Sequence, residues 1–198
     1  GKRSLVVDLR MPRGLEVLRR LVATADVVMQ NFRPGVAARM GIAYDDLRAT
    51  RDDIVYLSIT GFGPTGPLAD LKVYDNLIQA VSGMAVDQGR DTGEPSFVRN
   101  MACDKVTSLT AAQAVTAALF ARANGRGGQH LSVSMLDAAV AFLWTDAAQG
   151  SVLLGDDITE GNGRGANALW RHVDGWSTCA PVTDDEFRNL CLALGCDD

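Results

Sequence analysis

Asp26-Val-Val-Met29, followed by Gln30-Asn-Phe-Arg-Pro-Gly35, is the stretch on which the fold turns. Its first half is a short β-branched apolar run, and its second half is a polar turn with a proline suited to the first turn of a helix. Upstream, Leu15, Leu18, Leu21, Val22 and Ala25 recur at helical spacing, and Ser4-Leu-Val-Val-Asp-Leu9 has the continuous apolar character of a buried parallel strand. Strand, helix, strand in that order is a βαβ unit. Downstream, Val36, Ala37 and Met40 continue the helix opened at Pro34, and Ile54-Val-Tyr-Leu-Ser-Ile59 supplies a third strand.

The rest of the chain extends this pattern. Val73 to Met84 fits an amphipathic helix, residues 85–100 are irregular, and Val106, Leu109, Gln113, Thr116, Leu119 and Phe120 mark a long alanine-rich helix thin enough to lie close to a sheet. Gln129 to Ser134 alternates as a strand, and Leu136 to Leu154 returns to helix. A polar glycine-rich stretch follows. Then His172-Val-Asp-Gly-Trp-Ser-Thr-Cys179 carries the Asp-Gly mark of a hairpin, and Thr183 with Glu186 forms a capping box for a helix that Gly195 ends. The fold class is therefore α/β: an open, mostly parallel, Rossmann-like sheet with flanking helices, and the start of a smaller α+β domain at the C-terminal end. The domains read as 1–154, a linker at 155–169, and 170–198.

Composition narrows the function classes. With 198 residues, 47% of them hydrophobic and 22% charged, the chain can bury a sizeable core. A formal net charge of −5 leaves no basic surplus for general nucleic-acid binding. No apolar run reaches membrane-spanning length, which places the protein in the cytoplasm as a soluble chain. The four cysteines form no C-x-x-C pair and only His130 and His172 could join them, so reduced, mostly buried thiols and no metal are expected.

Gly61, Gly63 and Gly66 match the spacing of a dinucleotide-binding glycine motif. Pro64 and Pro67 stand where such a motif needs helical amides facing a pyrophosphate, so we read a glycine-proline loop and not a nicotinamide site. Its place after a strand still lets it line a cavity.

Read together, Gly1 to Leu9, Ala25 to Gly35 with Arg39-Met-Gly41, Tyr56 to Gly63 with Gly66-Pro67 and Tyr74 to Ala80, and Gly125 to Gln129 with Val133 to Asp137 resemble the class III CoA-transferases. That family includes formyl-CoA transferase, carnitine CoA-transferase and α-methylacyl-CoA racemase. The resemblance is strong over residues 1–150 and weak beyond 155. It implies that the chain is an internal segment lacking the first strand and helix of the large domain, and that two chains interlock as a homodimer.

It also implies a chemistry. The family's nucleophile is an aspartate at the start of a helix, which attacks an acyl-CoA thioester to give a mixed anhydride and free CoA thiolate, and Asp104 falls on that position. Taken alone, without the resemblance, Asp104 reads as an N-cap. The resemblance assigns coenzyme A binding to Val7, Asp8, Leu9, Arg10, Asn31, Phe32, Arg33, Arg39, Lys72 and Tyr74. Four of these are cations able to meet phosphates. The implied substrates are an acyl-CoA and a small carboxylic acid, with no covalently bound cofactor. The racemase branch uses a histidine in the segment where Tyr74-Asp75 stands here without one, which disfavours two-base racemization; racemization is kept as the alternative, and a CoA-binding protein without catalysis is another. The family's mobile glycine loop has one counterpart, Gly161-Asn-Gly-Arg-Gly165.

Overall fold

A computed structural model describes residues 1–90, 92–147 and 169–196. The chain forms two compact units, Gly1–Ala148 and Gln149–Asp198. The first is built on three parallel strands, β1 (Val27–Gln30), β2 (Val55–Thr60) and β3 (Gln129–Ser134), in that spatial order. Val27 faces Val55, and Val55 faces Gln129.

Because successive strand residues point to opposite faces, Tyr56 and Leu57 belong to different cores. Tyr56 packs with Val22, Ala37, Ile42, Leu47 and Ile54 beneath α1 (Pro12–Val22), α2 (Val36–Arg39) and α3 (Tyr44–Arg48). Leu57 packs on the other face with Val133 and Ala111, the latter from α6 (Ala102–Ala121). Between the last residue of β2 and α6 lie α4 (Asp75–Val81) and α5 (Met84–Gln88), and α7 (Met135–Ala147) follows β3. Ile78, Met84, Cys103 and Ala139 join these helices in a third core.

α6 is 20 residues long, about 30 Å. Its buried positions are Cys103, Thr107, Ala111 and Ala118, small side chains that let the helix lie close to the sheet. The Thr107, Ser108, Thr110 and Thr116 hydroxyls donate to carbonyls one turn back, so these polar residues stay compatible with a helix. A π-helical turn, Arg122–Arg126, leads to Gly128, where a Cβ would lie 2.5 Å from the Ile54 carbonyl oxygen. Only glycine lets β3 begin this close to β2.

Four expectations are corrected. Residues Ser4–Leu9 form no strand. They have no ladder partner among the described residues; the segment instead crosses the start of α1, where a Cβ on Gly14 would meet the Asp8 carbonyl oxygen and only Leu9 reaches the core. Val6 is almost fully exposed. Pro34 precedes the helix instead of starting it, because Gly35, with φ of 75°, is the N-cap of α2. Residues 85–100 contain most of α5. The thiols are not mostly buried: Cys103 is, Cys179 and Cys191 are half-buried, and Cys196 is exposed.

In the second unit, Leu169–Arg171 (β4) and Trp176–Thr178 (β5) form an antiparallel hairpin, and α8 (Asp184–Leu194) carries the Thr183–Glu186 capping box and ends at Gly195 with φ of 70°. The predicted continuation of α7 from 148 to 154, the linker up to residue 168 and the glycine loop Gly161–Gly165 lie outside the described residues.

Candidate active site

Three chain segments meet beyond the C-terminal ends of β1 and β2. The turn after β1 brings Asn31, Phe32, Arg33 and Pro34. The loop after β2 returns on itself because Gly61 allows Val73 to approach; a Cβ on Gly61 would lie 2.4 Å from Val73 Cγ2. That return sets Lys72 and Tyr74 opposite the β1 turn. The first turns of α6 bring Asp104, Thr107 and Ser108. Together these segments line a cavity of about 540 Å³.

Six of the eleven residues singled out from sequence thus share one cavity: Asn31, Phe32, Arg33, Lys72, Tyr74 and Asp104. Arg39 lines an adjoining hollow with Asn31, Phe32, Arg33 and Asp70. Val7, Asp8, Leu9 and Arg10 line neither. Arg10 is held by Asp8 at 2.9 Å, and its guanidinium draws the Asp8 carboxyl down to about 2. Any anion reaching Arg10 therefore competes with Asp8.

Asp104 is the third residue of α6, and the N-cap is Met101, so Asp104 is not a cap. Its side chain is exposed to the cavity, yet the surrounding walls strip part of its water, and this desolvation raises its pKa. The nearby Asp75 carboxylate raises it further, and Lys105 opposes the shift.

Asp75 is buried at the start of α4, and its Oδ1 accepts the backbone N–H of Asp104 at 2.9 Å. Its Oδ2 accepts from Gln79 Nε2, while Gln79 Oε1 accepts the Val98 N–H at 2.9 Å and Nε2 also reaches the Asn100 carbonyl. One amide at the positive end of α6 is therefore already occupied by a carboxylate. Sequence reading placed Asp75 beside the site without this role and took Gln79 only as part of a motif; their four-residue spacing on one helix was the available signal.

Cys103 lies beneath Asp104, fully buried, with its thiol pushed up to about 11 by burial and then by Asp75 and Asp104. It is no nucleophile. Among the described residues no group of three His, Cys, Asp or Glu side chains could hold a metal ion. Nor is any helix there long and apolar enough to cross a membrane.

A parallel sheet with a cavity at its carboxyl edge, an aspartate in the first turn of a helix and cations across from it fits many folds. Comparison of the whole chain narrows this, since a family described as CoA-transferase family III matches residues 1–198. The chain belongs to that family. Among relatives in CoA-transferase family III, a succinate–glutarate CoA-transferase from Agrobacterium fabrum is 36% identical over 198 residues, covering 98% of this chain and 50% of the relative. A formyl-CoA:oxalate CoA-transferase from Afipia carboxidovorans is 37% identical over 140 residues, covering 71% of this chain and 33% of the relative. A CAIB/BAIF family protein from Brucella suis superposes with a TM-score of 0.80 at 34% identity, covering all of this chain and 53% of that one. The chain thus spans about half the length of the first of these curated relatives.

Proposed function

We propose that this chain is the nucleophile-bearing segment of an acyl-CoA:carboxylate CoA-transferase, with Asp104 as the attacking carboxylate. The observation that carries the reading is that Asp104 opens into the same cavity as Asn31, Phe32, Arg33, Lys72 and Tyr74. A carboxylate oxygen attacks the thioester carbonyl, a C–O bond forms, the C–S bond breaks, and the CoA thiolate leaves with the electron pair. Exchange with an acceptor acid then returns a new thioester. No step needs an oxidant.

The surroundings suit this chemistry. Partial desolvation and the neighbouring Asp75 leave Asp104 less well solvated than a surface carboxylate, which makes its oxygen a better nucleophile once ionised. Lys72 and Arg33 form no ion pair among the described residues and are available to phosphate or to an acceptor carboxylate. Relatives are named for succinate, glutarate and oxalate, so small dicarboxylates are the acceptors to try first. Among the described residues of this unit His130 does not line the cavity, which weighs against two-base racemization.

A cytoplasmic homodimer completes the reading. Leu109 and Phe120 on α6, and Phe142 and Trp144 on α7, are more than half exposed, an apolar surface suited to a second chain. The test of the chemistry is mass spectrometry of the full-length protein mixed with a panel of acyl-CoAs and quenched with hydroxylamine. A hydroxamate on Asp104 is expected. Turnover without any modification of Asp104 would overturn the assignment.

A further inference from the structure

A polar chain crosses all three strands on the α1–α3 face of the sheet. The Gln30 side chain, at the end of β1, accepts the Phe32 backbone N–H on Oε1 at 2.7 Å. Its Nε2 donates to Ser58 Oγ on β2 at 2.9 Å, and Ser58 Oγ lies 2.9 Å from His130 Nε2 on β3. Ser58 faces Gln30 in the ladder, so the first step is set by register. The His130 ring is itself held, stacked on Tyr44 at 5.2 Å and edge-on to Tyr56 at 5.3 Å.

The direction of the first step follows from its donor. Gln30 uses its carbonyl on Phe32, so only its amide NH2 can face Ser58. Ser58 Oγ, having accepted from Gln30, still has a proton to give and a second lone pair, so its bond with His130 Nε2 runs in the direction set by the imidazole tautomer. The Gln30 side-chain amide cannot turn over without breaking two bonds. The chain ends on the backbone of Phe32, between Asn31 and Arg33, all three of which line the cavity.

The geometry points to Gln30 as a positioning residue for the coenzyme A site, which fixes the Asn31–Arg33 turn by locking the Phe32 amide to the sheet through Ser58 and His130. This rests on the proposed function above. Gln30 does not itself line the cavity. Its effect on ligand passes through the turn, because a turn left free must be ordered when the ligand binds.

The experiment compares the native full-length protein with Gln30→Met, which keeps the side-chain shape and removes both polar groups, Gln30→Glu, which keeps the acceptor for Phe32, and Ser58→Ala. Free coenzyme A is titrated by calorimetry, and exchange of the Phe32 amide is followed by NMR without ligand. Gln30→Met should weaken coenzyme A binding by about tenfold, the loss of two hydrogen bonds, raise KM more than it lowers kcat, and speed exchange at Phe32. Gln30→Glu should recover part of the protection at Phe32. Ser58→Ala should cost less, and should add little in the Gln30→Met background because the two act in series. Unchanged Phe32 exchange in Gln30→Met would overturn the inference whatever the protein binds. So would full additivity of the two substitutions. If the native protein fails to bind coenzyme A, the proposed function is what falls, and Phe32 exchange still decides the role of Gln30 in the turn.

Discussion

The two rims of the parallel sheet treat charge in opposite ways. At the N-terminal rim, where the strands begin, Arg51 and Arg122 share Asp26 and Asp53: Arg51 bridges both, at 3.0 and 2.7 Å, and Arg122 reaches Asp26 at 2.9 Å and Asp53 at 3.7 Å. Hydrogen bonds from these arginines hold both aspartates below the ordinary carboxylate value. At the C-terminal rim two carboxylates, Asp75 and Asp104, sit near each other, and the pKa of Asp104 is raised. Cations line that cavity and form no ion pair among the described residues. Matched charges at one end tie strands together, and like charges at the other oppose each other beside a cavity open to ligand.

The sharpest break of this contrast is Asp104→Asn. It should lower CoA transfer at least about a thousandfold, as loss of a covalent nucleophile does, while the melting temperature stays level or rises by about 1–2 °C as like-charge repulsion is removed. The two readouts, initial rate with an acyl-CoA and a dicarboxylate and scanning calorimetry, must move in opposite directions. A fall in both would mean that Asp104 is structural. Lys72→Met comes next, with KM for the acyl-CoA rising about tenfold and stability unaffected, as expected of an exposed cation that meets ligand and little else.

Arg122→Met probes the opposite rim. Arg122 also donates to the Asp26 and Asp53 backbone carbonyls and its side chain is 18% exposed, so its loss leaves several partners unsatisfied. Melting should fall by a few degrees, with kcat/KM unaltered at temperatures where the protein is folded. The pH dependence has a sign. Carboxylates with lowered folded pKa values contribute stability above their unfolded pKa and lose it as pH falls through the folded value, so the part of acid destabilisation below pH 3.8 that comes from Asp26 and Asp53 should shrink in Arg122→Met. Asp104 has the opposite sign. It subtracts stability at neutral pH, and that cost is relieved as pH falls through its raised pKa.

Legibility in the sequence followed the same division. β1, β2 and β3 could be read because their apolar runs are local, and the Thr183–Glu186 cap because it is a four-residue pattern; α6 could be read as a helix from its alanines, but its buried face of Cys103, Thr107, Ala111 and Ala118 is not the one its larger residues marked. Ser4–Leu9 could not: its composition is that of a buried strand, but a strand exists only where a neighbour offers a ladder, and composition does not report neighbours. Arg122, 96 residues from Asp26, pairs with it only through the fold. Asp104 was found by resemblance and not by spacing, since one aspartate near a helix start is common. Neither the desolvation that chiefly raises its pKa nor the occupation of an α6 amide by Asp75 is visible before the chain is folded.

That occupation leads to the smallest and most discriminating effect. Asp75→Asn removes the charge beside Asp104 and keeps an oxygen for the Asp104 N–H, so the acid limb of kcat/KM should move to lower pH, by roughly half a unit for one partly screened neighbouring charge. The substitution has a flaw: the new amide NH2 would face the Gln79 NH2, and turning Gln79 over would set its NH2 against the Val98 N–H. Adding Gln79→Glu restores these two bonds, because both carboxylate oxygens accept, one from Asn and one from Val98, although the Asn100 carbonyl then loses its donor. The negative charge then sits one side chain further from Asp104. If proximity of charge sets the acid limb, the paired variant should fall between native and Asp75→Asn. If Asp75 matters only as an acceptor for the α6 amide, all three profiles should superimpose, and the contrast between the rims would reduce to packing.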